Sequence, residues 1–157
     1  VLNMVQAGVP EEEVTYFTMA QYGLKPYSSS IIVRKDYAAE NPDIVKGFVA
    51  ATVKGMIDML NDPDAGIALL KKQEPLIDVE IETARWYLAE ELAILTPEVV
   101  KNGISVVDRE RYETAATQVA GAFDLPITPN MDDYCDSSFL PPLEMRQIPQ
   151  AVKDRLK

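Results

Sequence analysis

The chain has 157 residues, of which 47% are hydrophobic and 25% charged, a size and balance typical of a single globular domain. Its net charge is −10, from 25 acidic and 15 basic side chains. This charge excludes nucleic acid and anionic membrane as favoured partners, because both are bound by clustered Lys and Arg. No apolar run approaches the roughly 18 residues that indicate a membrane-spanning helix.

Two residue types that dominate metal and nucleophilic chemistry are almost absent. Cys135 is the single cysteine, and there is no histidine. Within these residues an internal disulfide, a Cys/His zinc site and His-dependent nucleophilic catalysis are therefore excluded. Acidic clusters such as Glu11–Glu13 lack the spacing of known metal motifs and are interpreted as solvated faces. We expect neither a metal nor a cofactor.

The first elements in chain order are the end of a helix and two strands. Residues 1–9 are typical of a helix that ends near Gly8. The runs "VTYFTM" at 14–19 and "SSIIVRK" at 29–35 are short and apolar, with β-branched side chains, which predicts two strands in a covered sheet. Because two strands alone are marginally stable, the fold is expected to be part of a larger one.

From residue 37 onward the sequence is helical. Asn41-Pro42-Asp43 is a typical helix N-terminus, with a capping residue, Pro at the first position and an acid near the positive end of the dipole. Apolar spacing predicts one broad buried face formed by Ile44, Val45, Phe48, Val49, Thr52, Val53, Met56, Ile57 and Leu60. Further helices are predicted to begin near Asp62-Pro63, Asp78, Thr96-Pro97 and Asp108. The polar stretch at the end predicts a loosely docked helix.

Two features allow either a binding or a structural interpretation. Tyr22, Tyr27 and Ser28–Ser30 could form a ligand rim, because tyrosine offers a flat apolar face and serine hydroxyls bond oxygenated ligands. Composition alone favours a polar connection between the two strands. Trp86 could stack on a ligand, but a position at the edge of a buried helix face is favoured, because aromatic residues mostly belong to cores.

Four pieces of the sequence resemble one known family. A "YG…Y" segment leads into a run that ends at Arg34-Lys35, and "ENPDIVKGFVAATVKG" places Asn-Pro, an acid, an aliphatic pair and Phe before a helix of small residues. "NDPDAGIALL" resembles the next helix start, and "FLPP" resembles the C-terminal finish. Together they resemble the second half of solute-binding proteins of ABC importers, in the group that binds nitrate, sulfonates, taurine and thiamine-pyrimidine precursors. The resemblance is best from about residue 14 to 72.

The resemblance implies an α/β, helix-rich fold, the C-terminal part of a type II periplasmic-binding-protein architecture in which two lobes enclose a ligand cleft. Residues 1–28 would be the end of the second lobe with its strand. Residues 29–157 would form the crossing strand and the C-terminal helices that pack on the first lobe. The N-terminal segment of the parent protein is expected to be missing, since the opening "VLNMVQAG" has no signal-peptide pattern.

By this resemblance the crossing strand faces the cleft, so Tyr22, Tyr27, Ser28, Ser29 and Ser30 become the expected ligand-binding residues. An anion such as nitrate would need an arginine or a helix N-terminus there. Tyrosines and hydroxyls close together slightly favour a pyrimidine-like heterocycle over a nitrate-, sulfonate- or taurine-type solute.

The implied function is the non-catalytic, solute-binding component of an ABC importer, which delivers a small-molecule solute to the permease membrane subunits. The implied location is periplasmic, or extracellular and attached to the membrane. The truncated chain is not expected to bind its solute with useful affinity, and its uncovered apolar surface would favour self-association.

Two alternatives stay open. One is an enzyme of thiamine-pyrimidine synthesis built on the same fold, which would need metal- or cofactor-binding histidines from outside these residues. The other is a helical protein-interaction module, which predicts that the tyrosine and serine residues are buried or disordered.

Overall fold

The computed structural model describes residues 2–126 and 130–155, and all regular secondary structure within these ranges is helical. The elements of the first half are α1 (Leu2–Gln6), 3-10 turns at Glu11–Glu13 and Met19–Tyr22, α2 (Lys35–Glu40), α3 (Pro42–Asn61), α4 (Pro63–Gln73) and α5 (Val79–Ala89). A π-helical turn, Glu90–Ile94, continues α5. The elements that follow are α6 (Pro97–Asn102), α7 (Arg109–Ala122), α8 (Met131–Tyr134), a 3-10 turn at Ser137–Phe139, α9 (Leu143–Arg146) and α10 (Gln150–Asp154). The predicted interruption "LPITPN" falls partly on residues 127–129, which lie outside the described residues.

The prediction of two strands is wrong for the described residues. Residues 14–18 and 29–34 have no regular secondary structure, and Lys35 already begins α2. A strand must pair its backbone N–H and C=O groups with a neighbour, and no strand is described that could pair with either run. Ile32 is 91% exposed, so this apolar run is not covered. The α/β prediction is therefore corrected to a helical structure in the described ranges, although the family resemblance still implies a periplasmic-binding-protein fold.

Local capping chemistry sets the helix starts where the sequence predicted them. The carboxylates of Asp62, Asp78 and Asp108 accept hydrogen bonds from the backbone N–H groups of residues 65, 81 and 111 at 3.0, 3.1 and 2.8 Å. Asn41 precedes α3 as predicted, but its side-chain amide donates to the Tyr37 carbonyl at 3.1 Å and does not cap α3. These starts depend on contacts three residues apart, which is why a sequence reveals them.

The core lies along one side of α3. It is formed by Val45, Val49, Val53, Leu60, Leu95, Ile104, Ile148 and Val152. Ile44 and Phe48 are 59% and 61% exposed, so only part of the broad face predicted for α3 is covered. Trp86 packs against this core from α5, in agreement with the structural interpretation of that residue.

The C-terminal residues are part of the core, so the prediction of a loosely docked helix is wrong. Ile148 and Val152 are only 3% and 1% exposed. The Arg155 guanidinium donates to the Leu60 carbonyl at 2.7 Å, which ties α10 to the end of α3. Burial of these apolar side chains docks a stretch that is otherwise polar.

Candidate functional site

The tyrosine–serine segment, residues 22–30, begins where a 3-10 turn ends. Gly23 adopts φ +86°, and its N–H donates to the Ala20 carbonyl. This left-handed conformation costs little for glycine and lets the chain leave the turn. Beyond Gly23 the backbone has no regular secondary structure until Lys35, so side-chain contacts must position the segment.

Tyr22 and the three serines are accessible. The Tyr22 side chain is 71% exposed and meets Phe17 edge-to-face, with ring centroids 6.1 Å apart. Ser28, Ser29 and Ser30 are exposed, and the Ser30 hydroxyl makes a weak, local bond to the Ser28 carbonyl at 3.4 Å. This accessibility differs from the burial that the interaction-module alternative predicts.

Tyr27, in contrast, is turned towards the helices and half-buried. Its hydroxyl donates to Glu98 Oε1 at 2.7 Å and accepts from the Asp108 backbone N–H at 2.8 Å. Burial, together with the hydrogen bond to the Glu98 carboxylate, raises the pKa of the Tyr27 phenol above its usual value. The hydroxyl therefore has both a donor and an acceptor partner inside the protein.

Arg111 of α7 completes this arrangement. Its Nη1 donates to Glu98 Oε2 at 2.7 Å, and its Nε donates to the Lys25 carbonyl at 2.9 Å. A longer bond of 3.3 Å joins Nη2 to the Pro26 carbonyl, and the guanidinium carbon lies 4.1 Å from the centroid of the Tyr27 ring. We call this pair of side chains the Glu98–Arg111 clamp. It ties residues 25–27 to the starts of α6 and α7.

A groove of about 500 Å³ lies beside the clamp. It is lined by Gly23 and Lys25 of the segment and by residues of α6 and α7, among them Thr114 and Gln118. Charged and amide groups of both donor and acceptor character thus adjoin the segment, a mixture suited to a small polar molecule.

The predicted site residues are therefore divided into two groups. Tyr22 and Ser28–Ser30 present accessible groups on one stretch of chain, while Tyr27 holds that stretch on the helices. Sequence reasoning missed Glu98 and Arg111, because their partners in the segment lie 71 to 86 residues away and leave no local pattern. Their positions in the first turns of α6 and α7 resemble ordinary helix starts.

Residues 2–126 and 130–155 offer neither a metal cluster nor a membrane-spanning helix. No group of three or more acidic, Cys or His side chains in these ranges could hold a metal ion. No described helix combines the length and the apolar character required for a transmembrane segment.

Comparison with known proteins gives one match. Residues 2–66 match the family model described as NMT1/THI5 like, and this range includes the whole tyrosine–serine segment. Neither the curated proteins nor the solved structures gave a significant match. Residues 2–66 therefore carry the sequence pattern of the NMT1/THI5-like family, which confirms, for that part of the chain, the resemblance to the nitrate, sulfonate, taurine and thiamine-precursor binding group.

Proposed function

We propose that the protein is the solute-binding component of an ABC importer, which captures a small molecule between two lobes and delivers it to permease membrane subunits. The solute is a pyrimidine-like thiamine precursor or, as the second choice, a nitrate-, sulfonate- or taurine-type molecule. Its contacts are Tyr22 and Ser28–Ser30, with Tyr27 contributing to the same segment. The protein works outside the cytoplasm, in the periplasm or at the outer face of the membrane.

The observation that carries this proposal is the family match over residues 2–66. NMT1/THI5-like proteins are mostly binding proteins, which supports a solute-binding role in a general sense. Within the matched range, Tyr22 and the three serines combine exposure with groups that bind small polar molecules.

The choice of a heterocycle rests on the residue types of the segment and on the guanidinium that contacts it, whereas Lys25, an exposed cation of the segment, is the feature that keeps an anionic solute as the second choice. Arg111 is the arginine that contacts the segment, and its guanidinium is already paired with Glu98 and two backbone carbonyls. An anionic solute would have to displace these partners to use that charge. A planar neutral ring needs only the Tyr22 face for stacking and serine hydroxyls for its ring nitrogens and exocyclic groups.

A thermal-shift screen of the natural full-length protein tests the proposal, with thiamine-pyrimidine precursors, nitrate, taurine and alkanesulfonates as probes. A true ligand should raise the unfolding midpoint in proportion to the logarithm of its concentration over Kd. The shift should disappear in Tyr22→Ala and in Ser29→Ala, but persist in Tyr134→Ala, which alters another exposed tyrosine. The absence of a shift with all probes, from a protein shown to be folded, would contradict the proposal.

A further inference from the structure

The tyrosine–serine segment has few means of holding its position. Among the described residues, the hydrogen bonds that join residues 23–33 to distant parts of the chain all involve Glu98, Asp108 or Arg111. The other bonds of this stretch are local, such as the one within the serine run. The position of the segment therefore depends on α6 and α7.

The two clamp side chains depend on each other. Glu98 uses one carboxylate oxygen for the Tyr27 hydroxyl and the other for Arg111. The Glu98 and Arg111 side chains are only 21% and 30% exposed, so water screens this pair less than a pair on the open surface. Removal of either side chain would leave the other without its charged partner and would remove part of the bonding that holds residues 25–27.

The clamp acts one residue away from the proposed ligand contacts. Ser28 follows Tyr27 directly, and consecutive Cα atoms are about 3.8 Å apart, so an anchored Tyr27 limits where Ser28 can lie. Tyr22 lies five positions before the anchor, across the Gly23 turn. A segment that is already ordered loses less conformational entropy when a solute binds.

We propose that Glu98 and Arg111 are positioning residues that fix the tyrosine–serine segment in its solute-binding arrangement. This inference rests on the proposed function, and it assigns a role to α6 and α7, which lie outside the family match. Arginine suits the role because its planar fork binds a carboxylate and two carbonyls at once, which lysine cannot do.

The first measurement needs no ligand. The natural full-length protein and its variants are treated with chymotrypsin, and cleavage after Tyr27 is followed by mass spectrometry. Arg111→Met and Glu98→Gln should be cleaved several-fold faster than the wild type, because local opening exposes the backbone. Arg109→Met is the matched control, since this neighbouring arginine pairs with Glu113 and Asp132. Equal cleavage of the clamp variants and the control would overturn the inference.

The second measurement is the Kd for whichever probe shifts the wild-type melting midpoint. Arg111→Met and Arg111→Lys should both weaken binding by about tenfold, while Arg109→Met leaves it unchanged. Full rescue by lysine would show that charge alone matters and would overturn a positioning role. A wild type that binds no probe refutes the proposed function, whereas equal Kd values in wild type and clamp variants refute only this inference.

Discussion

Ile104 and Arg146 are joined by two hydrogen bonds in opposite directions. The Ile104 N–H donates to the Arg146 carbonyl, and Arg146 Nη1 donates to the Ile104 carbonyl, each at 2.9 Å. Arg146 Nε also donates to the Pro141 carbonyl at 3.0 Å. One side chain thus fastens the stretch that contains α9 to the turn after α6.

Replacement of Arg146 by Met should lower the free energy of unfolding by about 2 kcal/mol, because hydrogen bonds from a charged donor to two part-buried carbonyls are lost. Urea unfolding followed by circular dichroism measures the change. Arg85→Met is the control, since its side chain is about half exposed and its two partners, Glu82 and Asn3, are surface contacts. That variant should lose less than about 1 kcal/mol. Similar losses in the two variants would argue against a special role for Arg146.

Substitution of alanine at two glycines should change the free energy of unfolding in opposite directions. Gly103 has φ +81°, and a Cβ there would lie 2.9 Å from the Arg146 carbonyl oxygen. Gly103→Ala should therefore cost about 1–3 kcal/mol of unfolding free energy. Gly55 lies inside α3, where an added Cβ would meet no atom within 4 Å apart from the backbone of its own helix and its chain neighbours, so Gly55→Ala should raise the free energy of unfolding by about 0.5–1 kcal/mol. Thermal melts of both variants check the signs, and a stabilising Gly103→Ala would show that the turn can relax.

The buried Glu90 carboxylate gives a third prediction. Glu90 is 6% exposed, and its Oε1 accepts from Arg155 at 3.1 Å. Its other oxygen and the Trp86 indole N–H find no partner among the described residues. Arg155→Met should lower the free energy of unfolding by about 2 kcal/mol. This is less than the loss expected when one partner of a fully buried ion pair is removed, because the Arg155 side chain is 39% exposed.

Trp86 reports this change directly, because it is the single tryptophan of the chain and packs against the core. Its fluorescence should follow the same unfolding transition as circular dichroism. Lys101→Met, an exposed cation on α6, is the control and should leave the transition unchanged. An unaltered midpoint in Arg155→Met would show that Glu90 does not need its partner.

The raised pKa of Tyr27 predicts a loss of stability in alkali. Since the folded-state value lies above that of the unfolded chain, the protonated phenol stabilises the fold below the ordinary tyrosine pKa of 10, and this contribution fades as pH rises through the folded value. Tyr27→Phe should cost about 1 kcal/mol at neutral pH. The difference in free energy of unfolding between the wild type and this variant, measured by urea titration, should shrink above about pH 10. A difference that stays constant to about pH 11 would contradict the assignment.

What the sequence predicted well was local chemistry. Carboxylates at helix starts act within three residues, so the beginnings of α4, α5 and α7 could be predicted from Asp62, Asp78 and Asp108. The prediction of two strands failed, because β-branched composition at 29–35 indicates a strand only when a neighbour is present to pair with it. The run instead lies exposed ahead of α2.

Contacts between distant residues account for the remaining errors. The apolar spacing of α3 identified a broad face, but spacing alone does not show how much of that face other helices cover, and Phe48 stays exposed. The candidate site likewise contains residues whose role depends on contacts between distant parts of the chain. Its serines and tyrosines could be selected by residue type, whereas Glu98 and Arg111 gain their role only when the fold brings α6 and α7 to residues 25–27.

The composition of the core has a consequence for synthesis. Val45 and Val152 belong to one buried cluster although 107 positions separate them. At ribosomal rates of about 5–20 residues per second, roughly 5–20 s pass between the emergence of the first and that of the second. During this interval α3 carries an uncovered apolar side, which is the kind of surface that chaperones bind. The nascent chain can close its core only after residue 152 has left the ribosome.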